Sequence, residues 1–474
     1  MGFRVNTIAN HELWDLGPTE ENAFTVIIGN NGCGKTQLLV DTCTYYQEMY
    51  SQLLNSDKPN VATAVRDVKE YSAQWSLLGE RFGLPLPRKL IAASTSQFEK
   101  FQQRWKNKKD IQHNGFYAYV GSKPYTPFQA PSTRIASKAI QQLLGNEKFE
   151  TRKLAALTNF LQKFDFGGLL RLRFNVAISS DDFTNLQNGQ QLQPKTALIL
   201  KEALEEYEQE EILGLIQYCE EIYKEPEFLL SLDRNAFTLK HLRKHEETFS
   251  DVDIDRHVVS TLLRVGLIEL DNLETVRHTK SPSNYIDDLD ISDVPLTGLA
   301  KRSSGEQCLF LLFLGIISSI EDDALICIDE PEISLHPQWQ EKFVDILKNS
   351  FSGYQGCHFL IATHSPLIVS DISASNSCVY DMVNRKLIDA RPHKERSADY
   401  QLATLFHNPG NNNEYLITQI IEVLDSVCKT ENPPEETLIT ANWLLSFESQ
   451  LEEHDKVRVL LGIMRSTLLA GGYL

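Results

Sequence analysis

The chain has 474 residues, 42% of them hydrophobic, and a formal net charge of −18; that length buries a large core and fits about two or three domains. So acidic a balance excludes a protein that coats duplex nucleic acid with its whole surface, because phosphate contact needs clustered Lys and Arg. The eight cysteines are scattered, with no CxxC pair, which excludes a disulfide or zinc framework as the organising device.

Taken in chain order, Arg4 to Ile8 reads as a strand rather than the charged start of a signal peptide. The longest apolar run, Cys308 to Ile317, is about half of the roughly 20 residues that cross a bilayer, so the expectation is a cytoplasmic protein with no membrane contact. Phe24 to Ile28 is a second strand. It leads into VIIGNNGCGKT, Val26 to Thr36, where a glycine-rich turn joins the strand to a helix beginning QLLVDTCTYYQEMY. Gly29, Gly32 and Gly34 let the backbone curl so that N–H groups along Asn30, Asn31, Gly32, Cys33 and Gly34 point inward, at a helix start whose dipole favours anions. Lys35 brings a point charge to the β- and γ-phosphates of a triphosphate, and Thr36 offers a hydroxyl to Mg2+. One or two helices are expected up to about Phe82, then a buried strand over Lys89 to Ala93. The polar turn STSQF after it offers Gln97, either a reach to metal or attacking water or simply a polar loop residue. Lys100 to Lys109, with Trp105 in its middle, is the densest basic run and is read as a solvated helix face.

From about Gly121 to Asp288 the sequence turns to polar helix formers, as in Ser137 to Phe164 and Lys195 to Tyr223, and is read as a mainly helical insertion. Heptads are not sustained, so long coiled-coil arms are not expected. His241 and His245 stand four apart on an expected helix without a third ligand nearby, and no metal site is read there.

Near Leu296 strong patterning returns. KRSSGEQ, Lys301 to Gln307, precedes a helix apolar on most faces. Ser303 and Glu306 have capping-box spacing, while Ser304 and Gly305 stand where a helix start can approach phosphate. Leu325 to Ile328 forms a buried strand ending in Asp329 and Glu330, two acids that are costly at that position unless they meet a metal or water. Asp329 is expected to hold Mg2+ through its water shell, and Glu330 to position or deprotonate attacking water. Gly356 to Ser365 is a further buried strand ending in His364, expected at the γ-phosphate. Beyond Asp371 one more strand, Ser377 to Tyr380, is expected, then helices over Tyr415 to Val427 and Glu436 to Gln450. No DxD cluster occurs there, and the paired acids at Glu435, Glu436, Glu452 and Glu453 read as solvated faces.

These stretches resemble the ATP-binding cassette ATPases, and within them the soluble branch of DNA-repair heads and overcoming-lysogenization-type defence ATPases. GNNGCGKT is similar to the Walker A loop, SSGEQ to the LSGGQ signature, LICIDEPE to Walker B and ATHSP to the switch histidine; the likeness covers about 1–120 and 290–385. Ser303 stands in place of the signature's leucine and Glu306 in place of its second glycine. The resemblance implies an α/β fold: a P-loop mixed sheet flanked by helices, with a helical insertion and a helical C-terminal tail. The implied head takes 1–120 and 289–400 for its two lobes; the insertion, 121–288, and the tail, 401–474, are matched only loosely, and the tail's helical patterning reads as a docking or oligomerisation element. Also implied are ATP and Mg2+ as cofactors, Ser304, Gly305 and Gln307 acting on a second subunit's nucleotide, and a homodimer or higher oligomer. Among defence ATPases the likeness is to the PtuA ATPase of Septu and retron systems, which implies a separate HNH-type nuclease and nucleic acid reached through it. The competing readings are a DNA-repair ATPase acting directly on DNA and a transporter's nucleotide-binding subunit.

Overall fold

Strands buried on both faces read as unbroken apolar runs, and that is the chemistry of the central sheet. The computed structural model describes residues 2–8, 10–16, 19–54, 86–96, 100–101, 115–121, 131–145, 151–164, 166–204, 207–232, 237–242, 255–277, 296–333, 335–370, 372, 376–430 and 432–474. Gln97, Trp105, His245 and the helices expected between 55 and Phe82 lie outside them. A short hairpin of β1 (Thr7–Ile8) and β2 (His11–Glu12) precedes β3 (Ala23–Ile28) and α1 (Lys35–Leu54); β4 (Leu90–Ser94) and β5 (Tyr117–Val120) follow. Next come α2 (Pro131–Gly145), α3 (Thr151–Lys163), β6 (Phe166–Val176), α4 (Ser180–Asn188), α5 (Pro194–Leu204), α6 (Gln209–Lys224), β7 (Glu227–Leu232), β8 (Phe237–His241), α7 (Arg256–Val265), β9 (Ile268–Arg277) and β10 (Leu296–Gly298). The last third holds α8 (Ser304–Ser319), β11 (Leu325–Asp329), α9 (Pro337–Glu341), α10 (Phe343–Ser350), β12 (His358–Ala362), α11 (Pro366–Ser370), β13 (Ser377–Asp381) and β14 (Lys386–Asp389). It ends in α12 (Ala398–Thr404), α13 (Glu414–Lys429), α14 (Glu435–Leu445) and α15 (Lys456–Ala470).

The main sheet has the order β14-β13-β3-β12-β11-β4-β5, parallel throughout except for β14. Every residue of β3, β4, β11, β12 and β13 is buried. Alternate side chains serve two cores: Val26, Ile326, Ile328 and Phe359 face α8, α2 and α3, whereas Ile27, Cys327 and Leu360 pack with Leu38, Leu39 and Tyr50 of α1. Because the strands run the same way, the ends of β3, β4, β11 and β12 come out at one edge, and Asp329 pairs in register with both Ser94 and Ala362. Among the described residues no helix is long and apolar enough to cross a membrane.

Three expectations are corrected. The 121–288 stretch, expected to be mainly helical, holds β6 to β9 beside α2 to α7, and those strands form, with β10, an antiparallel sheet of order β10-β9-β6-β7-β8. His241 ends a strand there rather than sitting on a helix, its Nε2 at the Glu225 carbonyl and its ring stacked on Phe228 at 4.4 Å. A second strand, β14, also follows β13 where only one was expected. The C-terminal helices α13, α14 and α15 share a core of their own, with Leu416, Ile420, Leu444, Leu461 and Met464 buried.

Gly315 shows how closely α8 meets the sheet, since a Cβ there would stand 2.3 Å from Val120 Cγ1 of β5. Gly315→Ala gains about 1 kcal/mol of helix propensity, yet overpacking of this kind costs about 1–3 kcal/mol. Net destabilisation is expected in denaturant unfolding, with partial rescue by Val120→Ala in the same chain; a more stable Gly315→Ala would contradict the packing.

Candidate functional site

Loop 29–36 leaves the end of β3 with Gly32 at φ +79° and Gly34 at φ +104°, left-handed positions where a side chain is strained. Cys33 N–H closes the turn on the Asn30 carbonyl at 3.2 Å. Asn30 and Asn31 are exposed. Lys35 opens α1 but folds back, only 4% exposed, donating to the Gly29 carbonyl at 2.8 Å and the Asn30 carbonyl at 3.3 Å. Burial lowers its pKa, against the opposing pull of Cys33, Glu332, Glu330 and Asp329.

Two strands away in the sheet, β11 delivers its acids to the same edge. Thr36 Oγ1 donates to Asp329 Oδ1 at 3.0 Å. Burial raises the Asp329 carboxyl to about 7; Glu330 and Glu332 push the same way, and the Thr36 bond and Lys35 oppose them. Glu330 sits just past the strand at φ +47°, a left-handed conformation uncommon for a glutamate. It is pinned from both sides, its N–H on the Ala362 carbonyl at 2.9 Å and its own carbonyl accepting Thr95 Oγ1 at 2.8 Å.

His364 follows β12 and closes the group. Its Nδ1 lies 3.2 Å from Lys35 Nζ and its Nε2 3.9 Å from Glu330 Oε1. Burial and the neighbouring ammonium lower its pKa to about 4, so the ring is neutral near pH 7. An ammonium only donates, so Nδ1 accepts and the ring proton belongs on Nε2, the side that faces Glu330. The His364 N–H is held by Glu332 Oε1 at 2.5 Å, while among the described residues Glu332 Oε2 is buried with no hydrogen bond. Burial also raises the Glu332 carboxyl.

The structure therefore brings together Lys35, Thr36, Asp329, Glu330 and His364. It does not bring Ser304, Gly305 and Gln307 into that network. Among the described residues no hydrogen bond joins Ser304 or Gly305 to loop 29–36, and Gln307 donates to the Arg302 carbonyl at 2.8 Å. Ser303 and Glu306 form the capping box at the start of α8: Glu306 N–H reaches Ser303 Oγ at 3.3 Å and Ser303 N–H reaches Glu306 Oε2 at 3.1 Å. Arg302 anchors this start to the second sheet through Thr275 Oγ1 at 2.6 Å. Thr95 and Glu332 were not singled out in the sequence. Thr95 stands in the polar turn after β4, and Glu332 is the third acid of DEPE, so both lie beside residues that were.

The donor set suits a hard cation, offering a carboxylate and a hydroxyl in contact. Among the described residues no group of three His, Cys, Asp or Glu side chains is arranged to hold a metal by itself. Mg2+ commonly takes one or two carboxylates and completes its shell with water and phosphate oxygens, which fits Asp329 and Thr36. The loop's curled backbone and buried ammonium suit phosphate.

Residues 124–370 match the family described as AAA domain, putative AbiEii toxin, Type IV TA system. The match takes in α8, Asp329, Glu330 and His364, and begins after loop 29–36. The chain is also similar to the Retron Vc95 probable ATPase of Vibrio cholerae serotype O1 biovar El Tor, at 20% identity over 377 residues, 75% of this chain and 68% of that protein. With the Retron Ec83 probable ATPase of Escherichia coli it shares 26% identity over 157 residues, 31% of this chain and 27% of that protein. Protein ea59 of Escherichia phage lambda is 26% identical over 88 residues, 19% of this chain and 16% of that protein. Since residues 124–370 span just over half of the 474, from α2 to the end of α11, the chain belongs to this AAA family and is an ATPase.

Proposed function

We propose that this chain is the ATP-hydrolysing switch of a retron-type antiphage defence system and that it controls a separate nuclease. The observation that carries the reading is the Thr36–Asp329 bond, which ties the phosphate loop to the acidic strand end with Glu330 and His364 beside it. Two relatives named as retron probable ATPases supply the biological context. In this reading the N–H groups of Asn30, Asn31, Gly32, Cys33 and Gly34 wrap the phosphates. Lys35 exchanges its loop carbonyls for β- and γ-phosphate oxygens. Thr36 and Asp329 hold Mg2+, which neutralises developing charge, and Gln97 is assigned to the same metal or to the attacking water. Glu330 orients that water and takes its proton, while His364, neutral with its proton on Nε2, donates toward the γ-phosphate. Ser304, Gly305 and Gln307 act on the nucleotide of a second copy, which accounts for their separation from loop 29–36 within one chain.

Residues 1–120 and 289–400 form the head, with 121–288 inserted between its lobes. Residues 401–474, whose helices carry their own core, dock the partner, an HNH-type nuclease as in the PtuA systems. Co-expression with the neighbouring genes, followed by purification through this chain, tests the assignment. DNA cleavage with Mg2+ is expected only in the complex, and deletion of Pro433 to Leu474 is expected to release the nuclease while leaving ATP binding within about twofold. Cleavage by the isolated chain that vanishes on a point substitution within 401–474 would overturn it.

A further inference from the structure

The ladder between β11 and β12 breaks at the residues that carry the site. His358 N–H donates to the Ala324 carbonyl at 2.8 Å, and at the other end Glu330 N–H donates to the Ala362 carbonyl at 2.9 Å. In a parallel ladder such bonds are evenly spaced and recur at every second residue of each strand. The next in this series joins His364 N–H to the Glu330 carbonyl. Both groups have other partners instead. The Glu330 carbonyl accepts from Thr95 Oγ1, just past β4 on the opposite side of β11, at 2.8 Å, and from Ile333 N–H at 3.2 Å, which closes a turn. His364 N–H is taken by Glu332 Oε1 at 2.5 Å, and the Thr363 side chain also bonds that carboxylate.

Local preference runs against this break. Glu330 sits at φ +47°, and it precedes Pro331, a position that is pushed toward extended backbone. Extended backbone there would continue the ladder, and it would also turn the side chain away. Successive side chains of a strand point to opposite faces. Asp329 reaches Thr36 on the face of α1, whereas Ile328 faces the core of α8, so an extended Glu330 would follow Ile328. The left-handed turn is therefore what presents Glu330 on the side of loop 29–36, with its Oε1 3.9 Å from His364 Nε2. Backbone strain of this kind and one hydrogen bond are of the same order, so the bonds that replace the ladder decide which form the chain keeps.

We infer that Thr95 and Glu332 are positioning residues for ATP hydrolysis: they satisfy the two groups released by the broken ladder and so hold Glu330 and His364 together at the site. This assignment rests on the roles proposed above for Glu330 and His364, and it gives Thr95 and Glu332 no contact with nucleotide.

Single-turnover hydrolysis and ATP-analogue affinity, measured on the full chain, test it. Thr95→Val keeps the shape and removes the donor; it is expected to slow the hydrolytic step about three- to tenfold, because the Ile333 bond remains, with affinity changed by less than about twofold. Thr95→Ser keeps the hydroxyl and is expected to recover to within about twofold of native. Glu332→Leu is expected to lose at least as much as Thr95→Val, since His364 N–H is left without its acceptor, and Glu332→Gln, which keeps an oxygen but no charge, is expected to recover most of that loss. Because Thr95 acts through Glu330, adding Thr95→Val to Glu330→Gln is expected to slow that variant no further. Full turnover in Glu330→Gln alone would defeat the catalytic reading, and this assignment with it. With Glu330→Gln slow, the positioning role alone is overturned by native turnover in Thr95→Val or Glu332→Leu, or by Thr95→Ser or Glu332→Gln as slow as the larger change. Losses that multiply in the Thr95→Val, Glu330→Gln chain, or an affinity that falls as far as turnover, would overturn it equally.

Discussion

Glu330→Gln is expected to keep ATP bound and to lose turnover by about 10²- to 10⁴-fold, the usual worth of a positioned general base. Gln has the length and shape of Glu and still accepts a hydrogen bond, so the pinned φ +47° backbone, held by Ala362 and Thr95, is undisturbed. What disappears is the carboxylate proposed to take a proton from water. Lys35→Ala is expected to fail earlier, at binding, because it removes the ammonium that lines the loop at Gly29 and Asn30. Filter binding and single-turnover hydrolysis with radiolabelled ATP separate the two losses. Full turnover in Glu330→Gln would remove that residue from the chemistry, and undiminished ATP affinity in Lys35→Ala would remove loop 29–36 from nucleotide binding.

The second large effect concerns stability. Asp329 holds its proton up to about 7 in the folded chain because of burial, whereas an unfolded aspartate releases it near ~4. Between those values the folded state binds more protons than the unfolded one, so this residue's contribution falls as pH rises from about 4 to about 7 and stays low above that. A shift of about three units bounds the loss at about 4 kcal/mol. Asp329→Asn keeps an oxygen to accept from Thr36 and cannot ionise. Without Mg2+ or nucleotide it is expected to be more stable than the native chain at pH 8 by about 2–4 kcal/mol, with little gain at pH 4.5. Mg2+ with nucleotide should narrow the difference by stabilising only the native carboxylate. Urea unfolding across this range in EDTA, then with Mg2+ and ATP analogue, reads it directly. Parallel pH profiles for the two chains would show that Asp329 is not the buried acid described.

How much of this was legible follows from burial. β3, β11 and β12 announce themselves as AFTVII, LICID and HFLIA because parallel strands covered on both faces carry apolar side chains throughout. The second sheet was missed although its strands alternate, the usual mark of a half-buried strand, because they are interleaved with helices α2 to α7 that set the character of the stretch. In FGGLLRLRFNV, Leu170, Leu172 and Phe174 are buried while Arg171 and Arg173 face outward, and IELDNLETVR does the same with acids. Those charges meet across strands, as Arg171 with Glu274 and Arg173 with Asp271. At the site, single residues at strand ends could be read, since Asp329 and Glu330 sit next to the apolar run that places them. Glu332 and Thr95 could not, because their value lies in non-local contacts with His364 and Glu330. The capping box at Ser303 and Glu306 was visible as spacing alone and is present as two reciprocal bonds.

The burial of α8 has a mechanical consequence. Its 16 residues, roughly 24 Å of rod, are enclosed from Leu309 to Ser319, with Gly315 pressed against Val120. A close-packed rod of this kind does not bend or repack one side chain at a time. A displacement of Ser304 and Gly305 at one tip would be carried along the rod toward Ser318 and Ser319 at the other, where Lys153 donates to the Ser318 carbonyl. A helix so enclosed is suited to move as one body, and stiffness rather than a chain of switching side chains is what would let one end of the molecule sense the other.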